Sequence, residues 1–221
     1  MAALPAWVDD PHRPPVLVLL VLSQNNNEGR LRRAALLKAW AGARQHRLMR
    51  TFFLYGGKRS AEEEGLARGK DGAEELHVAA IEGLRTIAIK VLRAIRWLYH
   101  GDGKAPPLNP PFVGKTDDDT FICVSSLLES LSNAVLSAYN TSHHAPSQRP
   151  LLYIGSFTYG RAVAIQKNER WEDIPYFDKF KLPVYPDYAQ GALYVLSSST
   201  ARSALSEAKK HNLLDLHPDP K

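Results

Sequence analysis

Residues Val16 to Leu22 are all aliphatic and follow the pair Pro14-Pro15. A strand with one wet face alternates apolar and polar residues; this run has no polar residue to offer water. Both of its faces must therefore be covered, as in a parallel sheet held between two layers of helices. The run is too short to cross a bilayer and lacks the flanks of a signal peptide. It is expected to be a buried central strand of an α/β protein.

The rest of the chain supports that expectation. The polar stretch Ser23–Asn27 ends the strand, and a basic helix is predicted from about Arg30 to Ala43. Thr51–Tyr55 reads as a second strand closed by Gly56-Gly57, and Ser60 with Glu63 has capping-box spacing for a short helix. A long helix is predicted from about Glu74 to Tyr99. There Ile81, Leu84, Ile87, Val91, Ile95 and Leu98 recur every three or four residues. A Gly- and Pro-rich loop, Gly101–Pro111, leads to a strand at Phe112–Gly114. Ser125 or Ser126 is a candidate cap for a helix with Leu128, Leu131 and Val135 on one face. A polar loop, Asn140–Pro150, and a strand at Leu151–Ile154 follow. Alternation of strands and helices predicts an α/β sandwich with a mostly parallel sheet.

At 221 residues, with 44% hydrophobic and 23% charged side chains, the chain is long and apolar enough for one folded domain. Its one cysteine, Cys123, excludes an intrachain disulfide and a cysteine-rich zinc site. Between Ile122 and Val124 it is expected to be an inert core thiol. The net charge of +5 is unevenly placed: residues 30–59 hold nine Lys or Arg and no carboxylate. Such a segment suits a diphosphate, a nucleic-acid backbone or a solvated helix face. Nucleic acid is the poorest fit, because only Trp40 offers a stacking ring there.

Asp117, Asp118 and Asp119 break into the apolar stretch that begins at Phe112, with Lys115 just before them. Adjacent like charges repel, and burying them unpaired is costly. A divalent cation relieves that repulsion, and the D-x-D pair Asp117 and Asp119 offers oxygen ligands suited to Mg²⁺ or Mn²⁺. The alternative is a solvated acidic turn. In open α/β sheets ligands gather beyond the carboxyl ends of strands, and both Ser23 and this cluster fall at such ends.

Four blocks in order resemble the β-1,3-galactosyltransferase-like glycosyltransferases (family 31). Arg32-Arg33-Ala34-Ala35-Leu36-Leu37-Lys38-Ala39-Trp40, followed by Phe53-Leu54-Tyr55-Gly56, looks like R-R-x-A-I-R-x-T-W and F-L-x-G. Lys90 and Trp97 fit the family's long helix. Lys115 to Phe121 is similar to K-x-D-D-D-x-F, and Tyr185 to Ser197 resembles Y-P-x-Y-x-x-G-x-x-Y-V-L-S. Tyr153-x-Gly155 and Arg170-Trp171 hold the places of Y-x-G and K-W.

The resemblance implies a GT-A-like α/β/α sandwich that moves a hexose from a UDP-sugar to an acceptor hydroxyl, with inversion, to form a β-1,3 linkage. It implies Mn²⁺ or Mg²⁺ on Asp119 with Asp117 nearby, and Asp117 and Asp118 as partners of the ribose or sugar. Arg32, Arg33 and Lys90 become candidate nucleotide contacts, the arginines alternatively forming a basic helix face. Gly191 would let the backbone approach the donor, or is a plain turn glycine. Trp171 is a sugar-facing wall or ordinary core. The implied partners are a UDP-hexose donor and a glycan or glycoprotein acceptor, with no nucleic acid. The implied location is the Golgi lumen, any membrane anchor lying outside this sequence, which reads as soluble as written. The sequon Asn140-Thr141-Ser142, in a predicted polar loop, is compatible with that compartment.

There are departures from the family pattern. Leu37 and Ala39 replace the family's arginine and threonine, and the resemblance would set that arginine's charge near the donor. The usual cysteines are absent. The family's general base lies in an E-D-V motif about twenty residues beyond Y-V-L-S, a count that falls on Asp219-Pro220. Asp219 is thus a candidate base or a solvated terminal residue. Residues 1–15 are expected to be an entry segment and 16–221 the catalytic domain, with its C-terminal part expected to be missing. A second reading is a relative that binds a UDP-sugar without transferring it.

Overall fold

The computed structural model describes residues 15–42, 48–57, 64–83, 86–101, 106–141, 150–166 and 172–214. Strand β1 (Leu17–Leu22) is buried along its whole length. Its left neighbour is β2 (Met49–Tyr55) and its right neighbour β5 (Phe112–Asp117), both parallel, with Leu17 paired to Met49 and to Phe112. Two more strands extend the left side: β4 (Glu74–His77), parallel to β2, and β3 (Gly65–Arg68), antiparallel to β4. On the right, β7 (Tyr188–Ser197) runs antiparallel to β5, and β6 (Tyr153–Thr158) antiparallel to β7. The order is β3-β4-β2-β1-β5-β7-β6. Four central strands are parallel and the rest are not, so the sheet is mixed, as in GT-A-like folds.

Helices on both faces account for the aliphatic run. Val18, Leu20 and Leu22 point to one face, where they meet Phe52, Leu54 and the apolar side of α2 (Ile87–His100), with Ala201 and Leu205 of α5 (Ser198–Lys210). Leu17, Leu19 and Val21 point to the other, against Leu36 and Trp40 of α1 (Asn27–Leu36 and its continuation) and Leu131 of α3 (Val124–Thr141). Burying each such side chain contributes about 1.5–3 kcal/mol. A short helix α4 (Ile174–Phe180) buries none of its residues.

The basic helix begins at Asn27, earlier than predicted, because the Asn26 side chain accepts the Gly29 N–H at 2.8 Å. It ends in a wider π turn, Leu37–Ala41, which buries Trp40. The long helix predicted from Glu74 is really two elements. Glu74–His77 pairs with β2 as a strand, and the helix starts only at Ile87. Arg50 clamps Glu74 through two hydrogen bonds at 2.9 and 2.6 Å, so charged residues enter the sheet already paired. At the other end, Gly101 stops α2 at a φ of 72° while its N–H returns to the Trp97 carbonyl.

Strand β5 runs on to Asp117, three residues past the predicted end, and β6 begins at Tyr153 and reaches Thr158. Helix α3 starts ahead of both candidate cap serines and carries Asn140 and Thr141 at its end rather than in a loop. The short helix predicted around Ser60 and Glu63 lies outside the described residues. Cys123 is exposed and free rather than a core thiol. Ile122 and Val124 turn inward, and the alternation sends Cys123 and Phe121 outward. Its Sγ lies 3.2 Å from Ser126 Oγ, and that hydrogen bond holds the thiol below its ordinary pKa.

Candidate functional site

The three consecutive carboxylates meet three different environments. Asp118 continues the parallel ladder past the strand: its N–H donates to the Leu22 carbonyl at 3.1 Å. That bond draws the residue into the crevice between β1 and β5, where it is buried. Ser23 Oγ donates to Asp118 Oδ2 at 2.8 Å, and Arg32 Nη1 to Oδ1 at 3.1 Å. Asp117, on the last rung of β5, accepts from Lys115 Nζ at 2.6 Å, with its side chain 38% exposed. Asp119 sits on the turn beyond, 66% exposed, with Arg32 Nη1 at 3.9 Å.

Repulsion within the trio is thus met partly by the protein's own cations. Lys115 is buried, and its ammonium also donates to the Gly191 carbonyl on β7. Thr116, on the opposite face of β5, donates to the Ala192 carbonyl at 2.7 Å. Together they fasten the carboxylate strand to β7. A Cβ added to Gly191 would lie 3.4 Å from Lys115 Nζ, an ordinary contact, so the ammonium does not itself demand a glycine there. Next along β7, burial pushes the Tyr194 phenol well above its ordinary pKa, and the neighbouring Tyr153 and the Asp117 charge add to the rise.

Helix α1 supplies two arginines with different surroundings. Arg32 spans Asp118 and Glu28, whose Oε1 lies 2.5 Å from Nη2. The hydrogen bond to Asp118 and the charge of Glu28 raise its pKa. Arg33 is buried. It donates to Ser23 Oγ at 3.4 Å and to the Gln24 carbonyl at 3.3 Å, faces Asp71 at 3.5 Å, and lies over the Tyr55 ring. It props the crevice from beneath. Burial also pushes the Tyr55 phenol up to about 12, against the pull of Arg33 and Ser23. Tyr55 stacks on His77 with ring centroids 5.2 Å apart.

Among the predicted site residues, Arg32, Arg33, Asp117, Asp118, Asp119 and Gly191 therefore come together. Lys90 has a partner of its own: buried on α2, it donates to Glu82 Oε2 at 2.8 Å, and Glu82 in turn accepts the Gly56 N–H at the end of β2. Trp171 and Asp219 lie outside the described residues. Ser23, Glu28 and Lys115 complete the cluster, although the motifs gave them no role. Glu28 lies four residues before Arg32, a spacing that signals a helical ion pair. Leu37, in place of the family's arginine, packs toward the α1/α3 side of the core. It lines a cavity of about 240 Å³ with Pro15, Met49 and Arg50, at the amino ends of β1 and β2. Its missing charge leaves the carboxylate cluster untouched.

A hard divalent cation fits part of this arrangement. Both oxygens of buried Asp118 are engaged, by Ser23 and Arg32, whereas Asp117 and Asp119 present oxygens to solvent. Among the described residues no group of three or more His, Cys, Asp or Glu is placed to enclose a metal. Two open carboxylates suit a cation that takes its remaining ligands from water and a ligand's phosphates, as Mg²⁺ does.

The sheet is of the open α/β kind, and its acidic crevice lies at the carboxyl ends of adjacent strands, where ligands gather in such folds. The galactosyltransferase family model matches residues 31–217, and the chain belongs to that family. It is 27% identical to mouse beta-1,3-galactosyltransferase 5, over 88% of this chain and 58% of the mouse protein. It is also 27% identical to human beta-1,3-galactosyltransferase 4, over 93% of this chain and 59% of the human protein. A Xenopus tropicalis UDP-GalNAc:beta-1,3-N-acetylgalactosaminyltransferase 2 is 26% identical over 60% of this chain. The chain thus spans little more than half the length of the first two relatives.

Proposed function

We propose that the chain transfers galactose or an N-acetylhexosamine from a UDP-sugar to a sugar hydroxyl of a glycan or glycoprotein, with inversion, forming a β-1,3 linkage. The observation that carries this reading is the division of labour within the aspartate trio. Asp118 is spent on holding Arg32 and Ser23 in place, and Asp117 and Asp119 remain open at the mouth of the crevice. Those two would hold Mn²⁺ or Mg²⁺. When bound, the ion neutralises charge on a departing nucleoside diphosphate. Arg32, half-exposed beside the open pair, would meet a phosphate oxygen. Ser23 and Arg33 keep the floor of the crevice fixed, so orientation costs little when the donor binds.

Asp219 is the candidate general base on the resemblance alone. A location in the Golgi lumen is part of the same reading; among the described residues no helix is long and apolar enough to cross a membrane. The alternative, a relative that binds a UDP-sugar without transfer, draws support from Pro220, which stands where the family's motif carries its second acidic residue.

Titration calorimetry with UDP tests the donor site. Binding should require Mn²⁺ or Mg²⁺, vanish with chelator, and weaken about tenfold or more in Asp119→Ala. Tight binding that survives both treatments sinks the reading. Release of UDP in the presence of an acceptor panel separates transfer from binding alone.

A further inference from the structure

Asn140-Thr141-Ser142 is the chain's only Asn-x-Ser/Thr triplet, and its middle residue is not the proline that blocks such sequons. Asn140 and Thr141 are the last two residues of α3, an 18-residue helix. Within that helix Glu129, Asn133 and Leu136 follow one another at steps of four and three, and all three are exposed. Their row lies on the side of α3 opposite Leu131, which is buried in the core. Asn140 holds the next position of that row, four residues on from Leu136. Leu136 itself is an aliphatic side chain left 58% exposed.

The topology sets this helix end far from the crevice. β5 and β6 point the same way, since each runs antiparallel to β7. β6 starts at Tyr153 beside Leu196, the partner of Val113 near the amino end of β5. The chain must therefore return along α3 from the carboxylate turn to the amino end of the sheet. At about 1.5 Å per residue, Asn140 lies roughly 24 Å along the helix from Val124. A branched oligosaccharide there stands clear of the aspartate trio.

We propose that Asn140 carries an N-linked glycan when the chain folds in a secretory lumen. The Asn140 amide nitrogen bonds to the anomeric carbon of an oligosaccharide held on a lipid diphosphate. The bond from that carbon to the diphosphate breaks, and the lipid diphosphate leaves as the amide gives up one proton. The sugar is bulky and hydrophilic, and it shields Leu136 one turn away. The luminal setting belongs to the proposed function, and the inference rests on that part of it alone.

Translation of the whole chain behind a cleavable signal peptide, with endoplasmic-reticulum microsomes present, tests the site on the protease-protected product. Most of that product should carry one glycan, which peptide-N-glycosidase removes with an Asn140→Asp conversion seen by mass spectrometry. Asn140→Gln and Ser142→Ala should each abolish the glycan, and Ser142→Thr should keep it. Thr141→Ala should keep it as well, which separates an N-linked sugar from one on the Thr141 hydroxyl. A protected wild type without a glycosidase-sensitive sugar overturns the proposal, and so does a glycan that survives Asn140→Gln. UDP binding with Mn²⁺ is then measured on wild type and Asn140→Gln purified from the lumen of expressing cells. The two should agree within about twofold, as for sites this far apart. A tenfold difference would show that the sugar reaches the crevice and would overturn its placement. If the glycan is present and neither form binds UDP, the transferase reading falls and the attachment site stands. If UDP binds and the glycan is absent, the attachment site falls alone.

Discussion

The two halves of the sheet solve different problems. In the parallel half every residue of β1 is buried, helices cover both faces, and the side chains that reach the crevice are locked by charge. In the antiparallel half most of β6 is exposed or half-buried and α4 buries nothing. In the first half Asp118, Arg33 and Lys115 are buried and held by hydrogen bonds, with Asp119 left open beyond them. The second has surface to spare, and surface is what a bulky, variable partner needs. Rigidity and openness are thus divided between two sides of one sheet, joined through Lys115 and Thr116 where β5 meets β7.

Stability measurements in denaturant can break that contrast. Phe52→Ala, in a side chain with no exposed area at the heart of the parallel half, should cost about 3–5 kcal/mol. A loss no larger than that of a surface change would show that the helices do not seal this half. The junction comes next. Lys115→Met strips Asp117 and the Gly191 carbonyl of their shared donor. The expected cost is about 2 kcal/mol, below that of a fully buried pair because Asp117 is partly solvated. Asp118→Asn keeps an acceptor for Ser23 but removes the charge facing Arg32, whose guanidinium is partly exposed. About 1 kcal/mol should be lost, with weaker UDP binding if the crevice serves a nucleotide.

The parallel half was also the more legible. β1 is an unbroken apolar run, and a run that must be buried on both faces has few other folds open to it. β4 was hidden because Glu74-Glu75-Leu76-His77 carries charges that only the finished structure pairs, Glu74 with Arg50 and Glu75 with His77. Ile81 continues the helical spacing by coincidence, although the helix itself starts only at Ile87. In the site, the trio itself was plain to see. Which of the three would turn inward was not, because that choice depends on the Asp118 N–H reaching Leu22, ninety-odd positions away in the chain. Cys123 departs from its neighbours for a related reason: apolar neighbours signal a core only when the residue shares their face, and here it does not.

A pH scan sharpens the contrast at alkaline values. Folding holds the Tyr55 phenol up to about 12 from an ordinary 10, chiefly by burial. An acid whose pKa is raised by folding stays protonated in the native state after the unfolded chain has begun to lose its proton. Between about 10 and 12 the unfolded chain therefore binds fewer protons, and stability falls as pH rises through that window. Below the ordinary value the phenol is neutral in both states and contributes no slope. Tyr55→Phe should flatten this part of the profile while leaving neutral pH little changed, since the hydroxyl makes no hydrogen bond of normal geometry. A profile that keeps its full slope in the variant would show that other groups drive the alkaline loss.

The smallest expected effect is the one that defines the open half. Tyr159→Ser changes a ring that is 71% exposed, so stability should move by no more than about 0.5 kcal/mol. A loss of several kcal/mol would mean that the ring is part of a packed core, and the division between a sealed and an open half would fail. A near-zero change in stability is the signature of a ring that folding does not need. The serine variant is informative for that reason: in the parallel half Phe52 is wholly buried, and there the same kind of truncation has to cost several kcal/mol.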